Sequence, residues 1–181
     1  MTADDVLAVL GLLGRAGAEV WVEGGWGVDA LVGERTREHR DLDLAHRREQ
    51  EPLVLAALAA VGFTETLDQR PVRFVVTHPD GRAIDLHPLE VAPDGSAVQA
   101  SFDPERPFPY PAACFVTGVI GGVTVPCVSA GQQIFFHQGY PPQERDLHDL
   151  ALLRRLPGIT GLGPVPDPAP GPDPGDGPGG R

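Results

Sequence analysis

Asp41 and Asp43 lie two residues apart in Asp41-Leu42-Asp43-Leu44. On an extended strand both carboxylates project from one face and both leucines from the other. Two ionised carboxylates so close repel, and one takes up a proton unless a cation intervenes. Hard oxygen donors suit magnesium, which typically takes one or two carboxylates and leaves the rest of its shell to water and substrate phosphates. The pattern also fits two solvated acids on an exposed strand, so alone it is a weak motif. Asp85, in Ala83-Ile84-Asp85-Leu86-His87, is a third acid whose flanking Ile84 and Leu86 point the opposite way. A strand pairing beside Asp41 and Asp43 would bring three carboxylates together, as two-metal phosphoryl transfer requires. Asp85 would then bridge the second ion or accept the proton of an attacking hydroxyl. The alternative is a structural ion pair of Asp85 with Arg73 or Arg82.

Gly24-Gly25 lies between an apolar strand and a helix, where backbone amides can approach a phosphate and the helix N-terminus adds positive potential. The spacing is neither a Walker motif nor a dinucleotide fingerprint, and a plain tight turn would also use it. Arg37 has the planar fork that suits triphosphate oxygens. His39 is placed to hydrogen-bond a phosphate or to orient a metal ligand, whereas Arg35 and Arg40 read as solvated. Arg145, in Arg145-Asp146-Leu147-His148-Asp149, is the candidate cation for the far wall of a nucleotide site or part of a charged helix face. His137 reads as a core histidine.

These residues need a scaffold. Thr2 to Ala16 carries helical apolar spacing, with Thr2-x-x-Asp5 as a capping pair and Gly17 as a stop. Val20 to Glu23 is a short strand, Trp26 to Val32 a helix, Asp41 to Leu44 a strand, and Arg48 to Ala60 a helix. Hairpins are expected around Pro79-Asp80-Gly81-Arg82 and around Gly121-Gly122. Ser129-x-x-Gln132 is a second capping-box candidate, opening a helix toward Gln138, and a last helix spans Glu144 to Leu156. The order predicts an α+β (mixed α/β) domain over residues 1–156 with a mixed sheet. Residues 157–181, rich in Pro and Gly without apolar periodicity, are expected to be a disordered tail.

Composition narrows the partners. The formal net charge is −11 and all 14 basic residues are arginine, so a polyanionic nucleic acid is disfavoured and a cationic small molecule is attracted. No apolar run reaches the roughly 18 residues of a membrane span, and the first residues lack the positive charge of a secretory signal. A cytoplasmic location is therefore expected. Cys114 and Cys127 read as small buried residues.

Gly24-Gly25-Trp26-Gly27-Val28-Asp29-Ala30 followed by Thr36-Arg37-x-His39-x-Asp41-Leu42-Asp43 resembles the antibiotic nucleotidyltransferases of the polymerase-β-like superfamily. These include lincosamide nucleotidyltransferases and aminoglycoside 2''-adenylyltransferases. Ile84-Asp85-Leu86-His87 looks like their third-acid strand. Phe136 to Tyr140 followed by Asp146-Leu147-His148-Asp149 is closer to the small lincosamide type, with Arg154 departing from it. The resemblance implies a nucleotidyltransferase fold with a small mixed sheet flanked by helices, and C-terminal helices. It implies two magnesium ions and ATP or another nucleoside triphosphate. It further implies transfer of a nucleoside monophosphate to an antibiotic hydroxyl with release of pyrophosphate. Asp41 and Asp43 would hold metal, Asp85 would be third ligand and base, and Gly24 and Gly25 would cradle phosphate. The wider superfamily often has Gly-Ser in this turn; here Gly25-Trp26 leaves no serine hydroxyl. Relatives this compact suggest a homodimer. Pro88 to Cys114, where an acceptor pocket would lie, matches no recognised pattern, which leaves the acceptor open. Two alternatives stand beside this reading: modification of a cellular protein or RNA, as in toxin-related members, or a degenerate domain that binds without turnover.

Overall fold

A computed structural model describes residues 1–138 and 141–157. The expected disordered tail, apart from Pro157, and the Gly139-Tyr140 pair lie outside the described residues. Five α-helices and nine strands are described: α1 (Ala3–Arg15), β1 (Val20–Glu23), α2 (Gly24–Val32), β2 (Asp41–Arg47), α3 (Glu51–Ala59), β3 (Thr64–Gln69), β4 (Arg73–Thr77), β5 (Ala83–Val91), β6 (Ala97–Gln99), β7 (Phe108–Tyr110), β8 (Phe115–Ile120), β9 (Val123–Val128), α4 (Ala130–Phe136) and α5 (Glu144–Leu153). The nine strands form one mixed sheet in the order β3-β4-β5-β2-β1-β9-β8, extended by β6 on β5 and β7 on β6. Among the described residues, no helix is long and apolar enough to cross a membrane.

Alternation along the central strands divides the sheet into two faces. Val20, Val22, Leu42, Leu44, Ile84 and Leu86 turn to one face and meet Val6, Val9 and Leu13 of α1 and Val54 and Leu58 of α3. Burying each such side chain contributes roughly 1.5–3 kcal/mol. The opposite face carries a smaller cluster of Ala45, Leu89, Ala97, Tyr110, Cys114 and Val128. The same face carries Glu23, Asp43 and Asp85, because these residues share the parity of its apolar positions. A third cluster joins Val28 of α2 to Ala130 and Ile134 of α4 and Leu150 and Leu153 of α5. It anchors the two C-terminal helices beside the acids.

Both capping expectations meet the structure, one in full. Thr2 Oγ1 accepts from the Asp5 amide, and Asp5 accepts from the Thr2 amide, closing the box. Ser129 Oγ accepts from the Gln132 amide, but the Gln132 side chain donates to the Pro109 carbonyl instead of closing a box. The hairpins β4–β5 and β8–β9 form as expected. Several boundaries differ, and the strand expected to end at Leu44 runs on to Arg47. The segment read as one helix from Arg48 begins with a 3-10 turn, Arg48–Gln50, and becomes α-helical at Glu51 with Pro52 in its first turn. The Gly24-Gly25 turn is itself the first turn of α2. The helices expected to reach Gln138 and Leu156 stop at Phe136 and Leu153. Strand β3 and the short β6 and β7 carry no clean apolar alternation, and sequence reasoning missed all three. Both cysteines are buried free thiols.

Candidate active site

Register places the acids. Strand β2 pairs with β5 in parallel, setting Asp43 opposite Asp85, and pairs with β1 in antiparallel, setting Asp43 opposite Glu23. Glu23, Asp43 and Asp85 therefore form a row across three neighbouring strands. Asp41 stands two residues along β2, opposite Ala83, on the same face. Asp41, Asp43 and Asp85 share one face of neighbouring strands, with Asp43 and Asp85 side by side, and Glu23 is a fourth carboxylate that sequence reasoning passed over. Its signal was available: an acid at the end of an apolar strand, directly before the glycine pair.

Burial and mutual repulsion act on these groups together. Burial, followed by the charges of Asp43 and Asp85, raises the pKa of Asp41 above the ordinary carboxylate range. Burial likewise raises Asp85, partly offset by the neighbouring Arg73. Glu23 is 4% exposed, and burial pushes its carboxyl up to about 7. Arg73 Nη1 donates to Asp85 Oδ2, while Asp85 Oδ1 is buried with no hydrogen-bond partner. The ion-pair alternative for Asp85 is thus realised with Arg73 and coexists with its place in the acid row. Arg82 turns instead to Asp80 and Asp5.

His87, two residues beyond Asp85, belongs to the same centre. Its Nε2 lies 3.6 Å from Asp43 Oδ1 and 3.8 Å from Asp85 Oδ1. Ligand atoms of Asp43, Asp85 and His87 fall within 4.8 Å of one another. On its other side, Nδ1 meets Gln99 Nε2 at 3.0 Å. The Gln99 amide is oriented by the Val72 carbonyl, which receives Nε2–H at 3.2 Å, and by the Tyr110 hydroxyl, which donates to Oε1 at 2.8 Å. The Gln99 amide is thus held against Nδ1 while Nε2 faces the carboxylates; burial acts to lower the imidazole, but Asp43, Glu23 and Asp85 outweigh it and raise its pKa to about 9. Sequence reasoning quoted His87 within the strand and gave it no role.

The glycine pair makes room for side chains as much as for a ligand. Gly24 has φ +56, and a Cβ there would meet Asp43 Oδ2 at 2.1 Å. A Cβ at Gly25 would meet His39 Nδ1 at 2.3 Å and Arg37 Nη2 at 2.6 Å. The loop before β2 is clamped by Asp29 of α2, which is 2% exposed. Its Oδ1 accepts from the Thr36 amide at 3.0 Å and hydroxyl at 2.6 Å, and its Oδ2 lies 2.5 Å from His39 Nε2. Burial acts to raise the Asp29 carboxyl, but the bonds from His39 and Thr36 outweigh it and hold the group below its ordinary range. His39 thereby spends Nε2 on Asp29 and presents a buried, unpartnered Nδ1 beside Gly25. Arg37 is committed to a fork on Asp149, with Nε–Oδ1 at 2.9 Å and Nη2–Oδ2 at 2.6 Å.

Two cavities meet at the acid row. One, about 580 Å³, is lined by Gly25, Arg37, His39, Asp41, Arg145 and Asp146. The other, about 510 Å³, is lined by Glu23, Arg73, His87, Gln99, Phe108 and Phe136. Gly24, Asp43 and His137 belong to both. His137, expected in the core, is instead half-buried on the wall between them, its Nδ1 3.8 Å from Asp146 Oδ1. Arg145 is exposed and edges the first cavity. The unmatched segment between Pro88 and Cys114 supplies Gln99 and Phe108 to the second.

The family model for aminoglycoside-2''-adenylyltransferase matches residues 5–153. A lincosamide resistance protein of Staphylococcus haemolyticus is 30% identical over 156 residues, covering 86% of this chain and 96% of that protein. The crystal structure of the lincosamide antibiotic adenylyltransferase LnuA, lincomycin-bound, superposes with a TM-score of 0.77 at 30% identity, covering 88% of this chain and 99% of that one. The structure of ANT(2'')-Ia in complex with adenylyl-2''-tobramycin shares the fold, with a TM-score of 0.66 at 21% identity, covering 84% of this chain and 87% of that one.

Proposed function

Because the chain belongs to the aminoglycoside-2''-adenylyltransferase family of antibiotic nucleotidyltransferases, we propose that it transfers a nucleoside monophosphate from ATP, or another nucleoside triphosphate, to a hydroxyl of a lincosamide-like or aminoglycoside-like antibiotic. Pyrophosphate is released. The observation that carries this reading is the pair of cavities sharing Gly24, Asp43 and His137, one walled by Arg145, His39 and the Gly25 turn, the other by aromatics and acids. Nucleotide occupies the first and acceptor the second, so the two substrates meet over the acid row.

The donor set fits magnesium. Asp41, Asp43 and Asp85 offer hard oxygens, Asp85 Oδ1 lacks a hydrogen-bond partner, and His87 Nε2 stands beside Asp43 and Asp85 at 3.6 and 3.8 Å. Asp41, Asp43 and Asp85 would hold two magnesium ions, which when bound would neutralise triphosphate charge and acidify the attacking hydroxyl. His39 Nδ1 and the amides near Gly25 face the phosphates, and Arg145 closes the far side. Arg37, already forked onto Asp149, positions the loop carrying His39 and reaches phosphate only with its remaining donors. Asp85 takes the hydroxyl proton as the acceptor oxygen bonds to the α-phosphorus and the bond to pyrophosphate breaks. Arg73 holds the Asp85 carboxylate in place for that transfer.

The small lincosamide type is the favoured acceptor class, because the lincosamide relatives match nearly their whole length at 30% identity. Phe108 and Phe136 give the second cavity an apolar wall opposite its acids, which suits an amphipathic cation. A homodimer is carried as part of this reading, checked by light scattering. The deciding experiment incubates the protein with magnesium, ATP and a panel of antibiotics and looks by mass for an added nucleoside monophosphate. Asp41→Asn and Asp43→Asn abolish the product while far-ultraviolet circular dichroism is unchanged; turnover retained in both variants would overturn the metal assignment.

A further inference from the structure

We propose that Glu23 is a specificity-determining residue, one that reads a second polar hydrogen of the acceptor, distinct from the hydroxyl that reacts. The inference rests on the functional reading above and deepens it. Glu23 ends β1 on the site face, 4% exposed, and its Oε1 is buried with no hydrogen-bond partner. It forms part of the wall of the acceptor cavity together with His87 and Gln99. A buried carboxyl oxygen is costly to leave unpaired, so its place on a cavity wall marks a preformed acceptor for a donor brought in by a ligand.

The neighbours leave that oxygen free for such a group. Tyr110 stands within hydrogen-bonding reach of the Glu23 carboxyl but gives its hydroxyl hydrogen to Gln99, Gln99 gives its own to Val72 and His87, and His87 faces Asp43 and Asp85, so Glu23 Oε1 keeps no partner. Glu23 also falls outside the cluster of ligand atoms that Asp43, Asp85 and His87 form. Register fixes its reach. Asp85 and Glu23 flank Asp43 on successive strands, about 10 Å apart at two strand spacings of about 4.8 Å. With the reacting hydroxyl at Asp85, the group that meets Glu23 lies about one sugar ring away. The chemistry is an O–H or N–H donor on a polyhydroxylated or amine-bearing acceptor.

The test is steady-state kinetics on the full chain with the acceptor found by mass screening, varying acceptor and ATP separately. Glu23→Gln keeps size and removes the carboxylate; the acceptor KM should rise tenfold or more while the KM for ATP stays within twofold and kcat within threefold. Acceptor analogues that each lack one donor identify the hydrogen read: the analogue missing it should be used equally poorly by wild type and variant. If that analogue lacks an amine, the group is an ammonium; if it lacks a hydroxyl, it is a hydroxyl. An unchanged acceptor KM, or equal rises in both KM values, would overturn the role of Glu23 while leaving the transferase reading intact. A wild-type protein that modifies no acceptor would overturn both. Should the Gln variant fail to fold, Glu23→Asp, which withdraws the carboxylate by one methylene, is read in the same way. Wild type alone also decides: if no analogue lacking a non-reacting donor raises KM, the proposal falls.

Discussion

Asp43 Oδ2 occupies the space into which any side chain at Gly24 would grow, with a Cβ there lying 2.1 Å from the oxygen. The contact is between a backbone position and a carboxylate of the acid row, and Gly24 also has φ +56, where other residues are strained. Gly24→Ala should therefore act on activity more than on fold. We expect turnover to drop at least about 100-fold through displacement of Asp43, since an ångström of misplacement suffices for that. Stability should fall by about 1–3 kcal/mol from the backbone strain. Magnesium-dependent nucleotide binding, followed by calorimetry, should weaken in parallel; normal turnover with lowered stability would show that Asp43 can move aside.

The Asp29 clamp predicts a different signature. Asp29 holds Thr36 and His39 from within α2 and touches neither cavity's reacting groups. Asp29→Ala removes three hydrogen bonds to a buried charge, so the loop should lose order at a cost of about 3 kcal/mol. The KM for ATP should rise with little change in the KM for the acceptor. A variant with wild-type thermal stability and wild-type nucleotide KM would dispose of the clamp.

This clamp explains what the sequence motif could and could not convey. Alternation in Asp41-Leu42-Asp43-Leu44 and Ile84-Asp85-Leu86 announced two strands and their acid face, because period-two burial is local information. Pairing of β2 with β5 in a register that aligns Asp43 with Asp85 is a long-range outcome, and only the assumption of adjacency anticipated it. His87 was invisible as a site residue for the same reason, and Glu23 showed only as an acid before the glycine pair: each gains its meaning from neighbours on other strands. Arg37 was read as a phosphate fork from its side-chain chemistry, whereas its partner Asp149 lies over a hundred positions away on α5. Strand β3 went unread because its residues are mostly exposed and polar, so no apolar rhythm survives at this sheet edge.

That Arg37–Asp149 fork offers a clean energetic measurement. Asp149 is nearly buried and Arg37 a quarter exposed, so solvent screens only one end of the pair. Removing Arg37 strands the Asp149 carboxylate, and removing Asp149 strands the guanidinium less severely. We expect Arg37→Ala to destabilise more than Asp149→Ala. The double variant should lie closer to wild type than the sum of the two, with a coupling of about 1–3 kcal/mol by chemical denaturation. Strict additivity would mean that the fork links loop and α5 without energetic consequence.

A pH dependence follows from His46, which is wholly buried on β2 with its ring edge-on to Phe74 at 5.8 Å. Nδ1–H donates to the Arg47 carbonyl at 3.0 Å, leaving Nε2 buried with no partner. Burial holds the imidazole pKa below its ordinary 6.5; Glu51 opposes this, while His87 and Arg70 reinforce it. The unfolded chain therefore binds the extra proton more readily, and stability rises with pH across this window. The contribution of neutral His46 is complete above about pH 6.5 and is lost progressively as pH falls below it, because protonation would press an N–H⁺ into the apolar core. Asp41, Asp85 and Glu23, whose folded pKa values are raised, contribute with the opposite sign. The comparison must therefore be between wild type and His46→Gln, which share those acids. Urea unfolding at about pH 7.5, 6.5 and 5.5, spanning the free imidazole value, should show wild type losing stability relative to the variant on acidification. A gap that stays constant across the three would mean that the His46 ring takes up its proton as easily folded as unfolded.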